Sequence, residues 1–93
     1  GNVPEAMAIF EQILERNPQN SFVRITRASL YSEQKEYSKA IEELQQVLKF
    51  DPGNAFAYTI LGNAFHNQNK FNEAVSAHRK AIELDPRFAK AYS

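Results

Sequence analysis

The sequence of 93 residues contains no cysteine, and its three glycines are scattered. Without cysteine it cannot form disulfide bonds, a thiolate nucleophile or cysteine-based zinc sites, and this absence is compatible with any compartment. Gly1, Gly53 and Gly62 form no glycine-rich loop of the kind that binds phosphates. No nucleophile–base pair or metal-ligand cluster can be recognised either. We therefore expect no enzymatic activity, no cofactor and no metal site.

A surplus of charge of either sign is also missing. Eleven basic and eleven acidic residues give a formal net charge of zero. Affinity for nucleic acid requires clustered Lys and Arg, whereas the one dense basic pair, Arg79-Lys80, stands near acidic residues as on a solvated helix face. No apolar run approaches the ~20 residues of a membrane-spanning helix, and the first residues lack a signal-peptide pattern. These absences argue against nucleic acid and membranes as partners.

What is present is an internal repeat. A polar residue followed by proline recurs at a constant interval, at Asn17-Pro18, Asp51-Pro52 and Asp85-Pro86. Other residues recur with the same offset, in the series Ala6, Ala40 and Ala74; Val3, Tyr37 and Phe71; Phe22 and Phe56; Gln34 and Gln68; Asn20 and Asn54. A random chain rarely gives several such series in one register. The sequence therefore contains a repeating structural unit, and its period of about 34 residues is in the range of helical repeats.

Apolar residues within each unit follow a helical spacing. The stripe formed by Ala40, Leu44 and Val47 has the i, i+4, i+7 pattern of a buried helix face. The prolines stand where their missing N–H ends a helix, and short polar segments such as 34–36 allow only tight turns. We predict helices at residues 4–16, 21–34, 38–50, 55–68 and 72–84, with a helical stub from about residue 88.

Residues that cap helices stand at these boundaries. Asn20 and Asn54 precede the first helix of each pair, and we predict that both side chains act as N-caps. Ser38 and Asn72 are predicted to cap the second helices in the same way. Asn69 lies in the turn between two helices, and asparagine tolerates the left-handed backbone that such turns often need. Two helices joined by a tight turn and repeated along the chain make an all-α fold.

This pattern resembles the tetratricopeptide repeat, a helix–turn–helix unit with the signature W-x2-L-G-x2-Y, then A-x3-F, then a closing P. The best match consists of Tyr58, Leu61, Gly62, Phe65, Ala74, Ala81 and Pro86. The unit before it matches at Ala28, Tyr31, Ala40, Leu44 and Pro52, and the opening segment at Ala6, Phe10 and Pro18. The resemblance implies an all-α solenoid of antiparallel helix pairs, coiled as a right-handed superhelix of about five helices and a C-terminal stub.

The register divides one domain, residues 1–93, into a half repeat 1–20, repeats 21–54 and 55–88, and a partial repeat 89–93 with Ala89 and Tyr92 in place. We therefore expect the sequence to be a segment of a longer array. Ala28 and Gly62 are expected where the two helices of a repeat cross closely. Tyr31 and Phe65 are expected to pack between those helices.

Three residues depart from the signature. Arg24 and Arg27 stand where it prefers Trp and Leu, although Arg is a common variant at the second position in such repeats. We expect Arg27 to lay its stem along the core and to pair its guanidinium with a carboxylate such as Glu11 or Glu43. His78 replaces a packing Phe or Leu, and we interpret it as a core or half-exposed histidine, because only His66 could join it as a metal ligand.

The resemblance also implies a binding surface. In such families the first helices line a concave groove, and ligand peptides contact positions 2, 5, 9, 12 and 13 of each repeat. The expected groove residues are Phe22, Ile25, Ser29, Phe56, Thr59, Asn63, His66, Asn67 and Lys90. We therefore expect a scaffold that binds a peptide or protein segment. Phe22 and Phe56 either contact the ligand or pack between repeats, and the sequence leaves both open.

One specific ligand is disfavoured. Repeats of chaperone cofactors clamp a C-terminal carboxylate with Lys, Asn and Arg side chains. The matching positions here hold Ile25, Ser29, Ile60 and Lys90, of which only Lys90 fits. A carboxylate beside isoleucine would have too few charge-assisted partners.

A second functional hypothesis is structural. The opening helix lacks its partner, and the last repeat lacks a polar capping helix, so apolar residues at both ends are expected to be partly exposed. They are Met7, Phe10 and Ile13 at one end, and Val75, Ile82 and Leu84 at the other. Repeats would then stack end to end within a longer solenoid or between chains, and the terminal helices could mediate self-association.

Overall fold

A computed structural model describes residues 3–87. Within them the chain forms five α-helices and no strand: α1 (Val3–Arg16), α2 (Ser21–Glu33), α3 (Tyr37–Phe50), α4 (Ala55–Asn67) and α5 (Phe71–Leu84). Every helix agrees with its predicted range to within one residue at either end, so the all-α prediction is confirmed. The predicted stub from about residue 88 lies outside the described residues. None of the five helices is long and apolar enough to cross a membrane.

Helix pairs stacked in order of sequence make up the architecture. Each helix packs on the next one along the chain, because the connections 17–20, 34–36, 51–54 and 68–70 are short. In addition, α2 contacts α4 directly. The first helices of the two repeats therefore lie side by side, and this contact makes one continuous surface of them.

Small residues and a few large aliphatic ones form the core. Ile25, Leu44 and Val47 are the largest fully buried side chains, and Tyr31 and Phe65 pack against the cluster around them. Each such aliphatic side chain contributes about 1.5–3 kcal/mol by burial. Buried alanines let the helices approach closely; they are Ala28, Ala40, Ala57, Ala64, Ala74, Ala77 and Ala81. The α4–α5 pair depends most on these small residues.

The turn inside each repeat is built on a left-handed residue. Asn69 has a φ of 63°, as predicted, and Lys35 has a φ of 64° at the equivalent position. The next residue's N–H then reaches back to the preceding helix: Glu36 N donates to Tyr31 O at 2.8 Å, and Lys70 N donates to Phe65 O at 2.9 Å. This is the Schellman arrangement, which satisfies the last carbonyls of α2 and α4.

The N-cap prediction holds for the first helices only. Asn20 Oδ1 accepts a hydrogen bond from Val23 N at 3.1 Å, and Asn54 Oδ1 accepts one from Ala57 N at 2.9 Å. The prediction for Ser38 and Asn72 is wrong, since α3 and α5 begin one residue earlier, directly after Glu36 and Lys70. The next helix begins directly after the Schellman turn, so Ser38 lies within the first turn of α3 and Asn72 within the first turn of α5.

This correction predicts a difference between two matched substitutions. Asn54→Ala should cost about 1 kcal/mol of unfolding free energy, because the helix loses its N-terminal acceptor. Ser38→Ala should change stability by less than about 0.5 kcal/mol, since its hydroxyl does not cap α3. Urea denaturation of both variants measures the difference. Equal losses would contradict the assignment of the caps.

Candidate functional site

The predicted groove residues lie along α2 and α4, the two helices in side-by-side contact. Asn63, His66 and Asn67 are exposed on α4, and Phe22 at the start of α2 is 71% exposed. Ser29 is half-buried. We call the six residues Phe22, Ser29, Phe56, Asn63, His66 and Asn67 the groove face. Phe22 matches Phe56 and Ser29 matches Asn63 in the two repeats, which is why these side chains lie on one side of the stacked helices. His66 and Asn67 match Ser32 and Glu33.

Two predicted groove residues are not available to a ligand. Ile25 is only 1% exposed, and Thr59 is 6% exposed with its hydroxyl donating to Ala55 O at 3.1 Å. The expectation that they line the groove is wrong, because α2 packs against both α3 and α4 and Ile25 joins the core between them. Lys90 lies outside the described residues.

The two phenylalanines of the groove face differ from each other. Phe56 is half-buried and packs against the core cluster. Phe22 protrudes, with most of its ring in solvent. Phe56 therefore packs partly between the repeats, whereas Phe22 exposes a large apolar area that a bound segment could cover.

The two histidines lie on α4 and α5, and one of them, His66, belongs to the groove face. The His66 ring meets the Phe71 ring edge-on, with centroids 5.2 Å apart. His78 is half-buried on α5, as predicted, and its ring lies against Gly62 of α4. Burial lowers the pKa of His78 below its usual 6.5, and the nearby His66 lowers that pKa further. Residues 3–87 contain no group of three or more side chains that could hold a metal ion.

The lowered pKa of His78 predicts a pH dependence of stability. The folded chain resists protonation at His78, whereas the unfolded chain takes the proton at a pKa near 6.5. Unfolding free energy should therefore fall as the pH drops below 6.5, until the folded His78 is itself protonated. Urea denaturation at a series of pH values around and below 6.5 measures how steeply the unfolding free energy depends on pH. We expect a weaker dependence in His78→Gln. An unchanged slope in His78→Gln would rule this histidine out as the cause.

On the opposite side of α2, a cluster of charges joins α2 to α3. Arg27 Nη2 donates to both carboxylate oxygens of Glu43 at 2.8 Å, and Arg24 Nη1 donates to Glu43 Oε1 at 2.8 Å. Arg24 Nε also donates to Pro18 O at 2.7 Å. The predicted pairing of Arg27 with Glu43 is confirmed. The role of Arg24 was missed, although its place three residues before Arg27 already put both on one helix face.

Comparisons with known proteins identify the family to which this helical arrangement corresponds. Two family models, both described as tetratricopeptide repeat, match residues 1–63 and residues 55–88. A comparison with curated protein sequences gives no significant match.

Solved structures show the same fold. The structure "MamA 41-end from Desulfovibrio magneticus RS-1" is 27% identical with a TM-score of 0.77, and the match covers 92% of this chain and 49% of that one. The first TPR of Spaghetti (RPAP3), bound to the HSP90 peptide SRMEEVD, is 24% identical with a TM-score of 0.85, covering 92% of this chain and 68% of that one. The chain thus spans about half the length of the MamA structures that it matches.

The first family model alone covers about two thirds of the sequence, and the second covers the remaining complete helix pair. Within residues 3–87 the pairs α2–α3 and α4–α5, each with a left-handed turn at the equivalent position, and the single helix α1 before them agree with both family models. The chain belongs to the tetratricopeptide repeat family.

Proposed function

We propose that this chain is a protein-interaction scaffold whose groove face binds an extended segment of a partner protein. The observation that carries the proposal is that α2 and α4, which are in direct contact, both expose groove-face side chains: the ring of Phe22 at the start of α2, and the amides of Asn63 and Asn67 further along α4. An aromatic side chain supplies apolar area to a contact, and amide side chains can pair with the main chain of an extended peptide.

Relatives of the same fold support a peptide as the ligand class. The first and second TPRs of Spaghetti (RPAP3) are each bound to the HSP90 peptide SRMEEVD. For this chain that peptide is not the expected ligand, because the buried Ile25 and the uncharged Ser29 stand where an acidic C-terminus would need donors. None of the six groove-face residues is Lys, Arg, Asp or Glu, and Glu33, which matches Asn67 in the preceding repeat, is the one such residue at the ligand-contact positions of the described repeats. This favours a segment with an apolar anchor and few negative charges.

Selection from a peptide library, followed by calorimetry of the best binder, tests this proposal. Phe22→Ala should weaken binding about tenfold, the loss expected of an aromatic anchor. Ile82→Ala is a matched control, since Ile82 is also an exposed apolar residue but lies on α5, away from the groove face. Equal affinity of wild type and Phe22→Ala would defeat the proposal.

A second candidate function is end-to-end stacking of repeats. Phe71, Val75 and Ile82 are exposed along one face of α5. On α3, Ile41 matches Val75 and Leu48 matches Ile82, and both pack against the core cluster that α3 shares with α4. At the other end, Ile9 and Ile13 are exposed on α1. These faces have the composition of repeat-to-repeat interfaces.

Sedimentation over a range of concentrations separates the two candidates. Stacking predicts association that grows with concentration and that is lost in the double variant Val75→Lys/Ile82→Lys. Phe22→Lys is the matched control, since it adds a charge to an exposed apolar site outside the end faces. A strictly monomeric wild type at high concentration would count against stacking of this chain.

A further inference from the structure

A second concavity opens on the other side of α4. It lies between α4 and α5, has a volume of about 500 Å³, and is lined by Tyr58, Leu61, Phe65 and Ala77, with Glu73 and Lys80 among its polar neighbours. We call it the α4–α5 cleft. At about 100° per residue, Tyr58, Leu61 and Phe65 point away from the helix side that carries Asn63 and Asn67. The cleft is therefore separate from the groove face.

The preceding repeat has a cleft at the equivalent place, but its chemistry is different. Tyr58, Leu61 and Ala77 stand one full repeat after Arg24, Arg27 and Glu43, the three members of the charge cluster. In the α2–α3 pair Arg24 and Arg27 bind Glu43, and the cleft beside them is polar, with Tyr31, Lys39 and Glu43 among its lining residues. In the α4–α5 pair Leu61 and Ala77 are buried and uncharged. One repeat thus presents ions where the next presents an apolar floor.

The charged residue next to the aromatic ring also changes sign, from Lys39 in the first of these repeats to Glu73 in the second. Lys39 Nζ lies 5.8 Å from the centroid of the Tyr31 ring and 3.0 Å from Glu36 Oε1. In the α4–α5 cleft the wall is Phe65, and Glu73 stands where Lys39 does. Lys70 replaces Glu36, but it does not line the cleft. Lys80 does line it, in place of Gln46, and its Nζ lies 4.0 Å from Glu83 Oε2. A carboxylate is not attracted to the negative face of an aromatic ring, whereas a cation is attracted to both groups.

We propose that the α4–α5 cleft is a docking site for a partner segment that carries a Lys or Arg beside a large apolar side chain. The apolar side chain would cover Leu61, Ala77 and the ring of Tyr58. The cation would lie between Glu73 and the face of Phe65, as Lys39 lies over Tyr31 near Glu36 in the preceding repeat. The chain's own first repeat thus provides the template for the contact.

Two peptides of opposite charge test the site: acetyl-Lys-Trp-Leu-amide and acetyl-Glu-Trp-Leu-amide, titrated into ¹⁵N-labelled protein. The lysine peptide should give saturable shifts at the amides of Tyr58, Leu61, Phe65 and Ala77. The glutamate peptide should bind roughly two- to fivefold more weakly, the range expected for one exposed charge pair. Glu73→Lys, which copies the preceding repeat at an exposed position, should remove or reverse this preference.

A stronger test exchanges the residues at the floor of the cleft with their counterparts in the other repeat. Tyr58→Arg/Leu61→Arg/Ala77→Glu should abolish the shifts. Arg24→Tyr/Arg27→Leu/Lys39→Glu/Glu43→Ala, which also replaces the lysine that occupies the cation position, should add a second set on α2 and α3. The proposal is overturned if the lysine peptide gives no saturable shifts around the cleft, or gives them only on the groove face. Should the exchanged variants not fold, Glu73→Lys decides alone, and an unchanged preference for the lysine peptide would overturn the proposal.

Discussion

Glu43→Ala is expected to destabilise the fold by about 3 kcal/mol, the typical loss when one partner of a largely buried ion pair is removed. Glu43 accepts from both Arg24 and Arg27 at 2.8 Å, and its side chain is 11% exposed. Arg27 Nε already has no hydrogen-bond partner in the structure. Without the carboxylate, two guanidinium groups face each other in a partly dry site, so the loss exceeds that of a surface ion pair.

A matched variant separates the charges from the packing. Replacing all three residues by their counterparts in the next repeat, Arg24→Tyr/Arg27→Leu/Glu43→Ala, leaves no unpaired charge in the site. We expect this triple variant to regain most of the stability lost in Glu43→Ala, because apolar residues often replace a buried ion cluster without loss. Guanidinium denaturation gives both unfolding free energies. A triple variant that is less stable than Glu43→Ala would contradict this view of the cluster.

Gly62→Ala is expected to cost about 2 kcal/mol, in the range of overpacked cores. A Cβ atom at position 62 would lie 2.7 Å from His78 Cε1 and Nε2 and 2.8 Å from Nδ1. Real Cβ atoms essentially never lie this close to another heavy atom, and three atoms of the His78 imidazole ring are involved. The expected sign is informative, because alanine normally stabilises a helix relative to glycine by about 1 kcal/mol.

Two controls isolate the close approach. Gly53→Ala should have little effect on packing, since a Cβ there meets nothing within 4 Å. In a His78→Ala background, Gly62→Ala should become neutral or stabilising, because the ring is gone and only helix propensity remains. Thermal or urea unfolding of the double-mutant cycle measures the coupling. An equal cost of Gly62→Ala with and without His78 would show that the ring is not the obstacle.

Much of the fold follows from the repeat period. The prolines, the alanine series and the apolar stripes locate all five helices, because local sequence decides where each helix begins and ends. Asn69 could be assigned to the left-handed turn for the same reason, whereas Lys35, with the same left-handed backbone, carries no local signal for it. Ser38 and Asn72 have good capping chemistry, but the hydrogen bonds of the turn start each helix one residue earlier, so both lie inside its first turn.

Less of the candidate site could be predicted. The binding positions of the family indicate which side of α2 and α4 carries the groove. Whether a residue at the edge of that side is exposed depends on how the neighbouring helices pack against it. Ile25 and Thr59 are therefore covered although their positions are those of ligand contacts in such families. The α4–α5 cleft has a sequence signal only when the repeats are compared with each other, through the replacement of Arg27 by Leu61 and of Glu43 by Ala77.

Binding of a partner segment on the groove face is what we propose for this tetratricopeptide repeat chain. Titration of ¹⁵N-labelled protein with a library-selected peptide tests it most directly. We expect saturable amide shifts at Phe22, Asn63, His66 and Asn67, and no shifts at the amides of α1 or at those of Val75 and Ile82 on α5. Shifts confined to Ile9 and Ile13 of α1 or to Val75 and Ile82 of α5 would contradict it and would identify the ends as the working surface.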